Sequence, residues 1–111
     1  MRIAVACDGT TVSAHFGRCE RYLLAESEGE GENVEVVEWL TNPGHEPGAL
    51  PELMREKGVS WVIAGGAGPR AVGLLEAAGI DLVIGVEGDA LAAAKALADG
   101  TLLGGESTCQ H

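Results

Sequence analysis

Residues 61–84 read WVIAGGAGPRAVGLLEAAGIDLVI, and this stretch decides the fold. Trp61 to Ala64 is a short apolar run of strand type, closed by Gly65-Gly66-Ala67-Gly68. Pro69 to Ala78 has helical composition, with Pro in its first turn and Gly79 just past its end. Asp81 to Ile84 is a second apolar run, ended by Gly85. A strand, a crossover helix and a strand make a unit whose two strands lie parallel in one sheet.

The same design extends in both directions. Downstream, Asp89 to Asp99 is an alanine-rich helix with Leu91 and Leu97 turned inward and Gly100 at its end. Upstream, Ala49 to Lys57 is a helix with Leu50, Leu53 and Met54 on one face, ended by Gly58. Gly58, Gly79 and Gly100 are each placed to take the left-handed conformation that closes a helix. Before the first helix, Thr41 to Gly48 is turn chemistry throughout, with two prolines and two glycines.

The N-terminal half is strand-rich. Arg2 to Cys7 is a buried strand bounded by Asp8-Gly9, and Arg21 to Glu26 and Val34 to Leu40 are two more. The acidic, glycine-rich segment 27–33 between the latter two reads as a solvated hairpin connection. These elements predict an α/β fold, a five-stranded mixed sheet of order 3-2-1-4-5 flanked by helices. Residues 1–111 form a single domain, and the polar tail 101–111 is expected to be flexible.

Composition narrows the function classes. The chain has 111 residues, 46% hydrophobic but only 4% aromatic, so its core is built from Val, Ile, Leu and Ala. The net charge of −10 argues against nucleic acid, whose affinity for proteins comes mainly from Lys and Arg. No apolar run reaches membrane-spanning length, and the first residues lack the pattern of a signal peptide. A cytoplasmic protein is expected. Three cysteines are an odd number in such a chain, so free thiols are expected in place of a disulfide framework.

In an open α/β sheet, ligands collect at the carboxyl ends of parallel strands, beside the point where strand order reverses. Here that point lies between the first and fourth strands. Cys7-Asp8-Gly9, the segment Gly65 to Arg70 and the loop after Ile84 converge there, and His15-Phe16-Gly17-Arg18 is able to fold over the same edge. Two readings of the glycine turn stand side by side. It is either an anion site, with backbone N–H groups and a helix N-terminus aimed at the ligand and Arg70 adding charge, or a tight strand-to-helix turn. It lacks the Lys-Ser/Thr pair of a Walker motif, and it does not follow the first strand as a dinucleotide fingerprint does.

Cys7 and Cys19 read as small apolar fillers. His15, in a loop beside Phe16, is a better ligand candidate, and His45 reads as solvated. Cys109-Gln110-His111 places a thiolate and an imidazole two positions apart, both strong ligands for transition metals. Asp8 has no clear second and third acidic partner on other strands, so a two-metal hydrolase site finds little support. No Ser-His-Asp grouping is recognisable.

Several segments taken together resemble one family. They are Asp8-Gly9 with Val12-Ser13-Ala14-His15-Phe16-Gly17-Arg18, then Asn42-Pro43-Gly44-His45, then Gly65-Gly66-Ala67-Gly68-Pro69-Arg70-Ala71, and the closing Cys109-Gln110-His111. In this order and spacing they resemble the dinitrogenase iron–molybdenum cofactor biosynthesis family, which includes NifX, the C-terminal domain of NifB and the core domain of NafY. The resemblance covers essentially the whole chain. It implies a ribonuclease H-like fold without nuclease activity. It further implies non-enzymatic binding and carriage of an iron–sulfur or iron–molybdenum cluster between donor and acceptor assembly proteins of nitrogenase cofactor assembly.

By that analogy His15, Cys109 and His111 are the candidate metal ligands. Asp8, Arg18, Gly65, Gly66, Gly68 and Arg70 are the candidate cofactor-binding residues, with the glycine turn facing the cluster's anionic periphery and Arg18 or Arg70 adding favourable charge. The alternative is a small-anion or metabolite-binding regulatory module using residues 65–70, whose binding would survive loss of the tail. Neither nucleic acid nor a membrane is an expected partner, and the oligomeric state is left open.

Overall fold

The computed structural model describes residues 1–27, 34–42, 49–100 and 106–107. The elements run β1 (Arg2–Asp8), β2 (Thr11–Val12), β3 (Arg21–Ser27), β4 (Val34–Thr41), α1 (Ala49–Glu56), β5 (Trp61–Ile63), α2 (Pro69–Ala77), β6 (Asp81–Ile84), α3 (Ala90–Asp99) and β7 (Glu106–Ser107). One mixed sheet holds all the strands, in the order β4-β3-β1-β5-β6-β7, with β2 paired to β1. β1, β5 and β6 are mutually parallel, whereas β3, β4 and β7 each run antiparallel to a neighbour.

The five expected strands are present in the expected order. The sheet is nevertheless six strands wide, not five, because Glu106–Ser107 adds β7 beside β6, and β2 folds back on β1. Both additions are two residues long, too short to show any alternation. The hairpin connection 28–33, His45, the tail segment 101–105 and the pair Cys109 and His111 lie outside the described residues.

β1 explains why the interior has two sides. Its run from Ile3 to Cys7 is fully buried, as befits a strand covered on both faces. Ala4 and Ala6 join Leu24, Val62 and Leu82 beneath α1 and α2, which contribute Leu50, Met54 and Leu75. Ile3, Val5 and Cys7 point the other way, joining Leu23, Ile63 and Val83 against Ala90, Ala93 and Ala94 of α3. The small side chains on α3 let that helix lie close to the sheet.

The helix ends follow the sequence signals. Pro69 opens α2 after Gly68. Asp89 caps α3 by accepting the Ala92 N–H at 2.9 Å. Gly58, Gly79 and Gly100 all have positive φ, between 76° and 83°. α1 and α2 each stop one residue before the expected end, within the fraying of helix termini.

β4 is the exposed flank. A bulge falls opposite Leu24 and Ala25, and Val36, Val37 and Trp39 are 40–48% exposed. The Arg21 guanidinium lies 3.8 Å above the Trp39 ring, a cation–π contact that covers part of this strand. At the opposite end of the hairpin, Arg2 pairs with Glu26 at 2.6 Å and donates to the Lys57 carbonyl at 2.8 Å. The bonds and charge of Arg2 hold the Glu26 carboxyl below its ordinary pKa.

Candidate functional site

The carboxyl ends of β1, β5 and β6 meet at one edge of the sheet, and the segment between β2 and β3 crosses it. That segment is stitched down residue by residue. Ser13 donates its N–H to the Ala6 carbonyl at 2.7 Å, and its own carbonyl accepts the Gly65 N–H at 2.7 Å. The Phe16 N–H donates to the Gly66 carbonyl at 2.9 Å. The Gly65 carbonyl in turn accepts from the Gly85 N–H at 3.0 Å, which ties in the loop after β6.

This crossing accounts for the first two glycines of the turn. A Cβ on Gly65 would sit 2.8 Å from the Ala14 Cα and 2.9 Å from the Ser13 carbonyl oxygen. A Cβ on Gly66 would sit 2.9 Å from the Ala14 carbonyl oxygen. Real side chains do not tolerate such approaches, so backbone passes directly over backbone. The Gly65 N–H is already bonded to Ser13 and is therefore not aimed at a ligand.

Ala14 and Gly65 form a ridge with a cleft on each side. One cleft, of about 470 Å³, is lined by Thr11, Val12, Ala14, Gly65 and residues Gly85 to Gly88. Its single charged side chain among the described residues is Glu87. The other, of about 510 Å³, is lined by Ala14 to Arg18, by Gly66 to Gly68 and by Ala71. It brings together an imidazole, a guanidinium and the glycine backbone ahead of α2. His15 and Arg18 are exposed on its rim.

Of the residues expected at the site, His15, Arg18, Gly66 and Gly68 thus share one cleft, and Gly65 borders the other. Arg70 is exposed in the first turn of α2 and lines neither. Asp8 also lies apart. Its Oδ1 accepts the Glu20 N–H at 3.0 Å, Glu20 accepts the Gly9 N–H at 2.9 Å, and Arg21 donates to the Gly9 carbonyl. This is a turn-bracing role. Cys109 and His111 lie outside the described residues; the chain reaches Ser107 running antiparallel to β6, from the cleft edge toward the opposite end of that strand.

The two described cysteines are packed inside. The Cys7 Sγ donates to the Val5 carbonyl at 3.2 Å on the α3 face. Burial pushes its thiol up to about 11. Cys19 lies on the other face, its Sγ 3.5 Å from the Phe16 and Arg21 carbonyls, and burial raises its thiol as well. Neither is poised as a thiolate. Among the described residues no three His, Cys, Asp or Glu side chains gather as a ligand set.

Two residues that shape this cleft, Ala14 and Asn42, are visible in the sequence only as part of the family resemblance, with no role of their own. Ala14 is the shared wall of both clefts, and a glycine pair that demands close backbone approach is the signal for such a crossing. Asn42 reaches across from the end of β4 to bond the loop that carries His15 and Arg18. Nothing local in the sequence marks that role.

The architecture is an open α/β sheet with two clefts at its carboxyl edge among the described residues. Residues 1–100 match the model of the dinitrogenase iron-molybdenum cofactor family, and the chain belongs to that family. Over 85 residues it is 36% identical to the uncharacterized protein MJ0580 of Methanocaldococcus jannaschii, covering 74% of this chain and 72% of that one. The crystal structure of PH0822 is similar across 95% of both chains, with a TM-score of 0.83 and 33% identity. An NMR structure of a Thermotoga protein, described as a candidate NifB protein, is 31% identical with a TM-score of 0.67, covering 90% of this chain and 89% of that one. No helix among the described residues is long and apolar enough to cross a membrane.

Proposed function

We propose that this protein is a non-enzymatic, cytoplasmic carrier of an iron–sulfur or iron–molybdenum cluster, received from one assembly protein and delivered to another. The observation that carries this reading is the pairing of His15 and Arg18 on one cleft in a chain whose family match spans residues 1–100. The cluster is cargo. The imidazole of His15 is a suitable terminal ligand for iron. Sulfide-bridged clusters carry net negative charge, and Arg18 offsets it on a chain whose overall charge is −10. The cleft is open to solvent at its rim, which suits a cargo that must leave. The strand order at the centre of the sheet supports placing the fold among ribonuclease H-like domains.

The domain offers few soft ligands at the cleft, so the reading assigns the remaining coordination to Cys109 and His111, which would have to turn back from the direction of β7 to reach it. Anaerobic reconstitution with iron and sulfide tests it, read by visible absorption and bound iron. The full chain is compared with one truncated after Ser107. Stable charge-transfer absorption in the full chain and its loss on truncation is the expected result. No bound iron in either form refutes carriage.

A further inference from the structure

The loop from Ser13 to Cys19 must hold His15 and Arg18 at a fixed separation if both are to meet one ligand. Three of its carbonyls are gripped by side chains from outside the loop. The Phe16 carbonyl accepts from the Tyr22 hydroxyl, and the Phe16 and Tyr22 rings lie 5.5 Å apart in tilted contact. The Gly17 and Cys19 carbonyls both accept from the Nδ2 of Asn42, at 3.2 Å and 2.8 Å. Asn42 is itself tied back by its backbone N–H to the Glu20 carbonyl at 3.2 Å.

The two acceptors settle the orientation of the Asn42 amide, because only its nitrogen is able to face two carbonyl oxygens. They also explain the residue type. One side-chain atom must donate two hydrogens from half-buried ground. A carboxylate of the same shape donates none and would face two oxygens with negative charge. The bonded carbonyls bracket Arg18 on both sides and lie two and four residues beyond His15. Asn42 is therefore a brace between the end of β4 and the cleft wall, not a cleft residue.

We infer that Asn42 is a positioning residue: through its two bonds to Gly17 and Cys19 it sets the geometry of the His15–Arg18 wall, and so the affinity of the cleft for its cargo. The inference rests on the cluster-carrier reading for what is bound, and on geometry alone for what is held.

The test uses the full chain with Asn42→Asp, Asn42→Ala and Asn42→Gln. Backbone amide exchange is followed by NMR in the cluster-free protein, and iron–sulfide loading is titrated separately. In Asn42→Asp and Asn42→Ala the loop loosens, and exchange at two bonded amides, Phe16 on the Gly66 carbonyl and Glu20 on the Cys7 carbonyl, rises about tenfold or more, while amides of β1 and β5 keep their protection. Loading weakens in parallel. Asn42→Gln, which keeps both donors on a longer stem, recovers part of both losses. A purely structural role would lower protection across β1 and β5 as well and would not follow the donor count. Unchanged exchange at Phe16 and Glu20 in both donor-lacking variants overturns the inference, whatever the loading shows. A loosened loop with loading equal to wild type overturns it too. If the wild type takes up no iron while the loop still loosens, the carrier reading fails and the brace stands without that cargo.

Discussion

The two clefts share a ridge, an edge of the sheet and a glycine-rich construction, yet they present different chemistry. The cleft beside Gly85 to Gly88 is lined by uncharged residues apart from one carboxylate among the described residues, Glu87. The cleft beside Gly66 to Gly68 offers His15 and Arg18. An electron-rich metal cluster needs a ligand atom and a countercharge, and only the second cleft supplies both. Glycine-rich loops therefore do not locate the site by themselves. In this chain the Gly65-Gly66 pair serves a crossing of backbone over backbone, and the discriminating information sits in the loop that crosses.

The largest effect should come from breaking the ridge that separates the clefts. Gly65→Ala drives a methyl into the Ala14 backbone, which has no flexible side-chain end to move aside. Overpacking of this kind costs about 1–3 kcal/mol. Chemical denaturation should show that loss, with chemical-shift changes on both clefts, and a midpoint equal to wild type would mean the crossing is loose.

A sharper comparison removes one side chain from each cleft. His15→Ala should weaken iron–sulfide loading about tenfold or more, the scale on which changes in metal coordination act. Glu87→Gln should leave loading unchanged. Equal losses in the two variants would erase the distinction between the clefts.

Much of the architecture is legible in the amino-acid sequence. Pro69, Asp89 and the glycines after each helix carry local signals, and the apolar runs of β1, β5 and β6 are those of strands covered on both faces. The strand order follows because crossover helices impose parallel neighbours. What escapes a sequence reading is either too short or too distant. β2 and β7 have two residues each, and no periodicity exists at that length. The Asn42 brace joins positions 25 and 23 residues apart, a contact made by the register of β3 on β4 and by nothing in the local pattern. The site is legible as a location, the carboxyl edge. It is less so as a residue set, since Asp8 braces a turn and Arg70 stands outside both clefts.

The smallest effect concerns the thiols that lie beneath the clefts and outside both linings. Cys7 has a folded-state pKa of about 11, above the ordinary 9.0, so its neutral form is the one the fold favours. Its contribution to stability is complete below about pH 9 and is lost as pH rises toward 11. Wild-type protein should lose stability over that window, and Cys7→Ala should flatten the loss while leaving iron loading as it was. A variant that loads less iron would instead bring the buried thiol into the site.

The most direct test of where the cargo sits is paramagnetic broadening of backbone amide signals in the anaerobically reconstituted protein, whose 11.4 kDa chain suits NMR. Signals of Ala14 to Arg18 and Gly66 to Gly68 should broaden most, while those of Val86 to Gly88 and of β4 survive. Broadening centred on Gly85 to Gly88, or bound iron that leaves the His15 loop sharp, would contradict carriage in the His15–Arg18 cleft.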